Sequence, residues 1–232
     1  MSKKRYKKSL EKVDRNKLYD LEQGLKIAIE TATAKFDESI DVAIRLGVDS
    51  KQADQQVRGA VTLPHGLGKK VRVLVFAKGE KEEEARKAGA DFVGAEDMIE
   101  KIKSGWLDFD RVLATPDMMP LVAKVAKILG PKALMPSPKT GAVSLRIGPS
   151  VSAEKKGKAS FRIDKKSIVH SSIGKKSMGY EKLKANCLSF LEELIKLKPK
   201  SSKGSYLRHF SISSTMGPSV IIKTFETQKE FF

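Results

Sequence analysis

Between Phe210 and Val220 the chain carries no charged side chain but five hydroxyls, on Ser211, Ser213, Ser214, Thr215 and Ser219, interrupted by Met216, Gly217 and Pro218. Hydroxyls both donate and accept hydrogen bonds, and a glycine beside them lets another backbone come close. A phosphate or a ribose is bound by groups of that kind. Phe210 and Ile212 alternate with Ser211 and Ser213, the period of a half-buried strand. Thr215 to Gly217 reads as an exposed turn, and Pro218 opens a second extended run. A Ser/Thr-rich strand end with a bulge fits the same residues, so the stretch alone leaves both readings open.

A second stretch, Ala34 to Val48, pairs with it in character. Ile40, Val42, Ile44, Leu46 and Val48 alternate with Asp41, Ala43, Arg45 and Gly47, which predicts a half-buried strand. The turn before it carries Lys35, Phe36, Glu38 and Ser39. Phe36 has two possible roles, a core residue closing the corner or an exposed platform for a ribose or base.

Other chemistries find no support in the residue pattern. The single cysteine, Cys187, excludes an intrachain disulfide and a multi-cysteine metal site. It falls on the apolar stripe of a helical pattern, the place of a packed thiol and not of a nucleophile. The three histidines, His65, His170 and His209, are far apart and show no metalloprotease spacing. The turn Gly66-Leu67-Gly68-Lys69-Lys70 is not a phosphate loop. Leu63 stands where the first glycine belongs, Lys70 stands where the hydroxyl belongs, and a strand follows where a helix should. No glycine fingerprint for a dinucleotide follows the strand Val71–Ala77. The expectation is no enzyme, no cofactor and no metal.

Lys and Arg number 45 against 28 Asp and Glu, a net charge of +17. Nucleic acid is the first partner such an excess implies, with an anionic membrane surface second. No apolar run approaches the roughly 18–20 residues needed to span a bilayer. The opening segment has charges but no apolar stretch behind them, so it does not read as a secretory signal. A cytosolic location is expected. Lys3, Lys4, Arg5, Lys7 and Lys8 suit either a solvated arm or a basic tail along phosphates.

Around these residues the elements read as follows. Asp20 is placed to cap a helix over 21–33, with Gln23 three residues on. A short strand near Val57–Leu63 leads to the Gly-rich turn. From Val71 strands and helices alternate, which implies parallel βαβ units. Here Asp117 is expected to cap one helix running through Met119–Gly130. A stiff Pro-bearing loop follows, and SVSAEKKGKAS reads as a second connector. Phe161–His170 suggests a hairpin turning at Asp164–Lys166. Ser177 is expected to cap a helix whose buried stripe is Leu183, Cys187, Phe190, Leu191 and Leu194. The fold class is therefore an α+β discontinuous sandwich domain, residues 1–67 and 159–232, with an inserted three-layer α/β (Rossmann-like) domain, residues 68–158. Gly66, Gly68 and Gly157 are candidate hinge positions.

Residues 34–48, 54–69 (DQQVRGAVTLPHGLGK), 128–141 (ILGPKALMPSPKTG) and 203–221 (KGSYLRHFSISSTMGPSVI) closely resemble the bacterial large-subunit ribosomal protein L-one family, over almost the whole chain. The resemblance implies a protein of the mobile stalk beside the tRNA exit site, with one domain built from both chain ends and one inserted. It implies partners as well: large-subunit (23S-type) rRNA, exit-site tRNA, and the mRNA of its own operon, whose translation the family represses. It nominates an RNA-binding surface of Lys35, Phe36, Glu38 and Ser39 on one turn and Ser213, Thr215, Met216, Gly217 and Ser219 on the other, and adds Lys165 and His170 of the hairpin as further candidates. Serine at positions 39, 213 and 214 replaces the threonine common in the family, keeping the hydroxyl and losing a methyl. The tail ending in Phe231–Phe232 is peculiar to this sequence.

Overall fold

A computed structural model describes residues 2–224, and the tail with Phe231–Phe232 lies outside the described residues. The chain divides into two compact units. One joins the residues up to Gly68 to those from Ala159 onward, and the other runs Lys69–Lys158.

In the discontinuous unit a four-stranded sheet has the order β7-β1-β8-β9. Its strands are β1 (Ser39–Leu46), β7 (Ile168–Lys175), β8 (Leu207–Ser214) and β9 (Ser219–Ile222). The alternation in β1 is realised: Ile40, Val42, Ile44 and Leu46 are buried, and Asp41, Ala43 and Arg45 face the other way. Helices α2 (Leu21–Thr31) and α8 (Tyr180–Lys196) close the apolar face. Leu25 and Ala28 of α2, and Leu183, Cys187, Phe190, Leu191 and Leu194 of α8, join the strand residues in one core. A separate two-stranded sheet of β2 (Arg58–Thr62) and β6 (Lys158–Arg162) packs beside α8. Phe161 meets Phe190 there edge-to-face at 5.1 Å. Burial pushes the Cys187 thiol up to about 12, the state of a packed and unreactive group.

Asn186 is a polar exception inside this core. Fully buried, it donates to the carbonyls of Gly66 and Ile173, both at 2.8 Å, and accepts from the His65 N–H at 3.0 Å. It thereby fixes the turn in which Gly66 and Gly68 take left-handed φ of 66° and 67°.

The other unit is built on a parallel three-stranded sheet ordered β4-β3-β5, from β4 (Phe92–Gly94), β3 (Val73–Phe76) and β5 (Arg111–Ala114). Every residue of β3 is buried, as expected of a strand covered on both faces. Leu74 and Phe76 pack against Met98, Ile99 and Ile102 of α4 (Glu96–Lys103), Val122 of α5 (Met119–Ala123) and Leu129 of α6 (Ala126–Leu129). Val73 and Val75 pack against Ala85 of α3 (Glu80–Lys87) and Ile147 and Val151 of α7 (Ile147–Lys155).

Several expectations need correction. Residues Ser2–Leu10 form a helix, α1, and not a frayed arm. Asp20 occupies the N-cap position of α2 without capping it, because its carboxylate pairs with Lys223 at 2.8 Å. Asp117 lies in a short 3-10 turn facing Lys81, and the helix after it breaks in two. Bonds from Lys124 and Val125 to the carbonyls three residues back tighten that helix, which keeps both Val122 and Val125 in the core. The supposed second connector is mostly α7. Its first turn holds Gly148 and Pro149, and only Ile147 and Val151 mark an apolar face, so helical periodicity was too faint to read. The turn at Asp164–Ser167 forms, yet its arms enter different sheets, β6 with β2 and β7 with β1. Gly179 stands at the N-cap of α8, while the Ser177 hydroxyl is taken by Asp37 at 2.6 Å.

Candidate nucleic-acid interface

The antiparallel pairing of β1 with β8 sets Ile40 opposite Ser214 and Asp41 opposite Ser213. The turn entering β1 and the turn leaving β8 therefore meet at one pole of the unit, although they stand some 180 residues apart in sequence. Three hydrogen bonds join Ser39 to Thr215: the Thr215 N–H donates to the Ser39 carbonyl at 3.0 Å, the Ser39 N–H donates to Thr215 Oγ1 at 3.0 Å, and Oγ1 donates back to the Ser39 carbonyl at 3.3 Å.

Glu38 is the centre of the junction and not part of its surface. It is 1% exposed. One carboxylate oxygen accepts from the Ala34 N–H at 2.6 Å and the other from the Met216 N–H at 2.9 Å. Burial, with a backbone N–H of each turn on each oxygen, makes Glu38 a residue that positions both turns and not an outward contact, which corrects the expectation for it.

What those turns present outward is mostly neutral. Phe36 is 55% exposed and Met216 44%, two of the few large apolar side chains in the open among the described residues. Phe36 is thus no core residue. Lys35, Thr215 and Ser219 are exposed, with Ser39, Ser213 and Gly217 half-buried beside them. A Cβ at Gly217 would lie 2.3 Å from Ser214 Oγ and 3.3 Å from Thr31 Oγ1, so the turn needs a glycine there.

Lys165 and His170 are not brought into this cluster. Lys175, at the end of β7, pairs with Ser39, whereas His170 pairs with Ala43 in mid-strand. Lys165 lies beyond the far end of the strand, where the Ser50 hydroxyl donates to its carbonyl at 2.9 Å. It lines a cleft of about 470 Å³ with Lys51 and Arg162.

The structure adds residues that the sequence did not single out. Lys175 Nζ reaches Ser39 Oγ at 2.9 Å and the Asp37 carbonyl at 3.2 Å, and Lys176 Nζ donates to the Ala32 carbonyl. The hydrogen bond from the Ser177 hydroxyl holds the Asp37 carboxyl below its usual range. These contacts brace the first turn from the side of β7. Asp41 sits on the outward face of the sheet, opposite Ser172 on one side and Ser213 on the other. Burial pushes its carboxyl upward, against the hydrogen bond from Ser172 and the charge of Lys175. The adjacent pair Lys175-Lys176 was the only sequence signal for this bracing.

Among the described residues no cluster of His, Cys, Asp and Glu could hold a metal ion, and no helix is long and apolar enough to cross a membrane. Residues 28–218, which include both turns, match the ribosomal protein L1p/L10e family. The chain belongs to that ribosomal protein family. It is also similar to the large ribosomal subunit protein uL1 of Bdellovibrio bacteriovorus, 61% identical over 223 residues that cover 96% of this chain and 95% of the relative. It is a structural protein of the cytoplasmic ribosome and not an enzyme. The resemblance carried by the four motif stretches is thereby borne out.

Proposed function

We propose that the junction of the two turns is the surface with which this ribosomal protein grips large-subunit rRNA at the mobile stalk. One observation carries this reading: buried Glu38 ties a turn bearing exposed Phe36 to a turn bearing exposed Met216 and Thr215. Two aromatic or thioether faces with hydroxyls between them suit stacking on a base or ribose and bonding to 2′-hydroxyls and phosphates. Asp41, half-buried among serines, is an acceptor that a 2′-hydroxyl can satisfy and a phosphate would avoid. Recognition on this reading is by shape, with the lysines adding long-range attraction.

The same surface serves the other roles proposed for the protein. A fold of similar shape in its own operon's mRNA would occupy it in place of rRNA, repressing translation. As part of the stalk, the protein assists release of deacylated tRNA from the exit site. Gly66, Gly68 and Gly157, all with left-handed φ, are proposed as hinge positions in the connectors. The experiment is crosslinking of purified protein to total cellular RNA, with the bound fragment sequenced. Enrichment of one large-subunit segment, crosslinked through Phe36 or Met216, is the expected result. Crosslinks scattered over all RNA in proportion to abundance would show a nonspecific polyanion binder.

A further inference from the structure

Helix α1 is the most basic segment of the chain that the turns leave unexplained. Ser2–Leu10 holds no acidic residue, and Lys4, Lys7 and Lys8 are exposed with Arg5 half-buried. None of these four is in an ion pair among the described residues, unlike many cations of the Lys69–Lys158 unit. Tyr6, between them, is 38% exposed. Its hydroxyl accepts from Arg15 at 3.1 Å, which holds the ring in place without covering it.

The helix is also fastened, and the place of fastening is informative. Ser9 is buried and donates to the carbonyl of Thr31, at the last residue of α2. Val13, just beyond, is in the core. Thr31 is the residue whose hydroxyl faces Gly217 of the second turn, and the first turn leaves α2 one residue later. The C-terminal end of α1 is therefore pinned at the same pole as Phe36 and Met216. At 1.5 Å per residue, no cation of the helix lies more than about 12 Å of helix axis from that pin.

We propose that α1 is a second RNA-contacting wing, continuous with the two turns, which lays Lys4, Lys7 and Lys8, three and four residues apart on one face of the helix, along phosphates of the strand that the turns recognise. This rests on the reading of the turns as an RNA surface. The turns supply selectivity through neutral groups. The helix supplies the salt-sensitive part of affinity at the same pole.

The test uses the full chain and an in vitro transcript of the stalk segment of large-subunit rRNA. Affinity is measured from roughly 0.05 to 0.3 M salt for the natural protein and two variants of equal charge change. One is Lys4→Ala/Lys7→Ala/Lys8→Ala. The other is Lys198→Ala/Lys200→Ala/Lys203→Ala, whose exposed lysines flank Ser202, bonded to Gly47 at the opposite end of β1. Each lost phosphate contact lowers the slope of log affinity against log salt by about 0.7 to 0.9. The α1 variant is expected to lose about two units of slope and tenfold or more in affinity at ~0.15 M salt, and the distant variant far less. Equal slopes for the α1 variant and the natural protein would overturn the wing while leaving the turns intact. Equal losses in both variants would overturn it too, in favour of a diffuse field. If the natural protein prefers this transcript no more than duplex DNA, the reading of the turns fails and the wing falls with it. All substituted lysines are exposed and leave Ser9 and Val13 in place, and circular dichroism verifies the fold.

Discussion

The two units differ less in charge than in what they do with it. The discontinuous unit has 27 basic against 16 acidic residues, and the Lys69–Lys158 unit 18 against 12, in fewer residues. Net charge per residue is nearly the same in both. In the inserted unit more of the charges face one another: Asp110 takes Lys69 and Arg72, Asp91 takes Lys155, and buried Glu154 takes Arg111 and Lys158. Its sheet is covered by helices on both faces. The discontinuous unit covers one sheet face and leaves the other with Ser172, His170, Asp41, Ser211 and Ser213 pointing outward. Charge excess suits a polyanionic partner but does not say where it would bind. The proposed location of the site rests instead on an uncovered sheet face and on exposed Phe36 and Met216, whose turns are tied together through Glu38.

Breaking the junction should have the largest effect. Glu38→Ala removes the acceptor for both turns, and Met216→Asp puts a charge on the proposed RNA-binding face. Each is expected to weaken binding of the stalk transcript by roughly thirtyfold or more, the scale of an interface hot spot. Lys132→Ala and Lys139→Ala, on the exposed Pro-rich loop of the inserted unit, should change it less than about threefold in a titration at ~0.15 M salt. If the loop substitutions cost as much as those at the junction, the contrast between the units is wrong.

The second contrast is in stability. Asn186→Ala strands two backbone carbonyls and one N–H in the core of the discontinuous unit. It should cost about 3 kcal/mol, taking each buried unsatisfied group at the low end of its range. Hydrogen exchange should show the loss in β1, β7 and α8 and leave β3 and β5 unchanged. A uniform loss over both units would mean that they unfold as one.

A smaller effect concerns acid. The hydrogen bond from Lys69 holds the Asp110 carboxyl down at about 2, against 3.8 for the free group. A carboxyl with a lowered folded pKa contributes stability above pH 3.8, and loses it as pH falls toward 2. With a partly exposed side chain the contribution is on the order of 1 kcal/mol after solvent screening. Asp110→Asn should therefore flatten the acid limb of the inserted unit's stability between those two pH values. An unchanged limb would show that the ion pair contributes nothing. Cys187, finally, should resist thiol reagents in the folded chain and react only as the discontinuous unit opens.

Much of this was legible in the sequence where period and burial coincide. The alternation of Ile40 to Leu46 and the stripe of α8 could be read because each packs one apolar face against one core. The junction was legible as two unusual stretches, but not its wiring. Nothing in the order of residues says that Glu38 is a buried brace while Phe36, two residues earlier, is in the open. That depends on strand register, which joins segments far apart in the chain. The missed helix α7 shows the opposite case. Gly148 and Pro149 argue against a helix locally, and it forms because Ile147 and Val151 fill the second face of the inserted sheet.

The most direct test is the salt dependence of stalk-RNA binding by Phe36→Ala and Thr215→Ala, which alter neither charge nor core. The account predicts affinity lower by tenfold or more at every salt concentration, with lines parallel to that of the natural protein. Affinities indistinguishable from the natural protein's would contradict it, because recognition would then lie with the cations and not with the neutral junction.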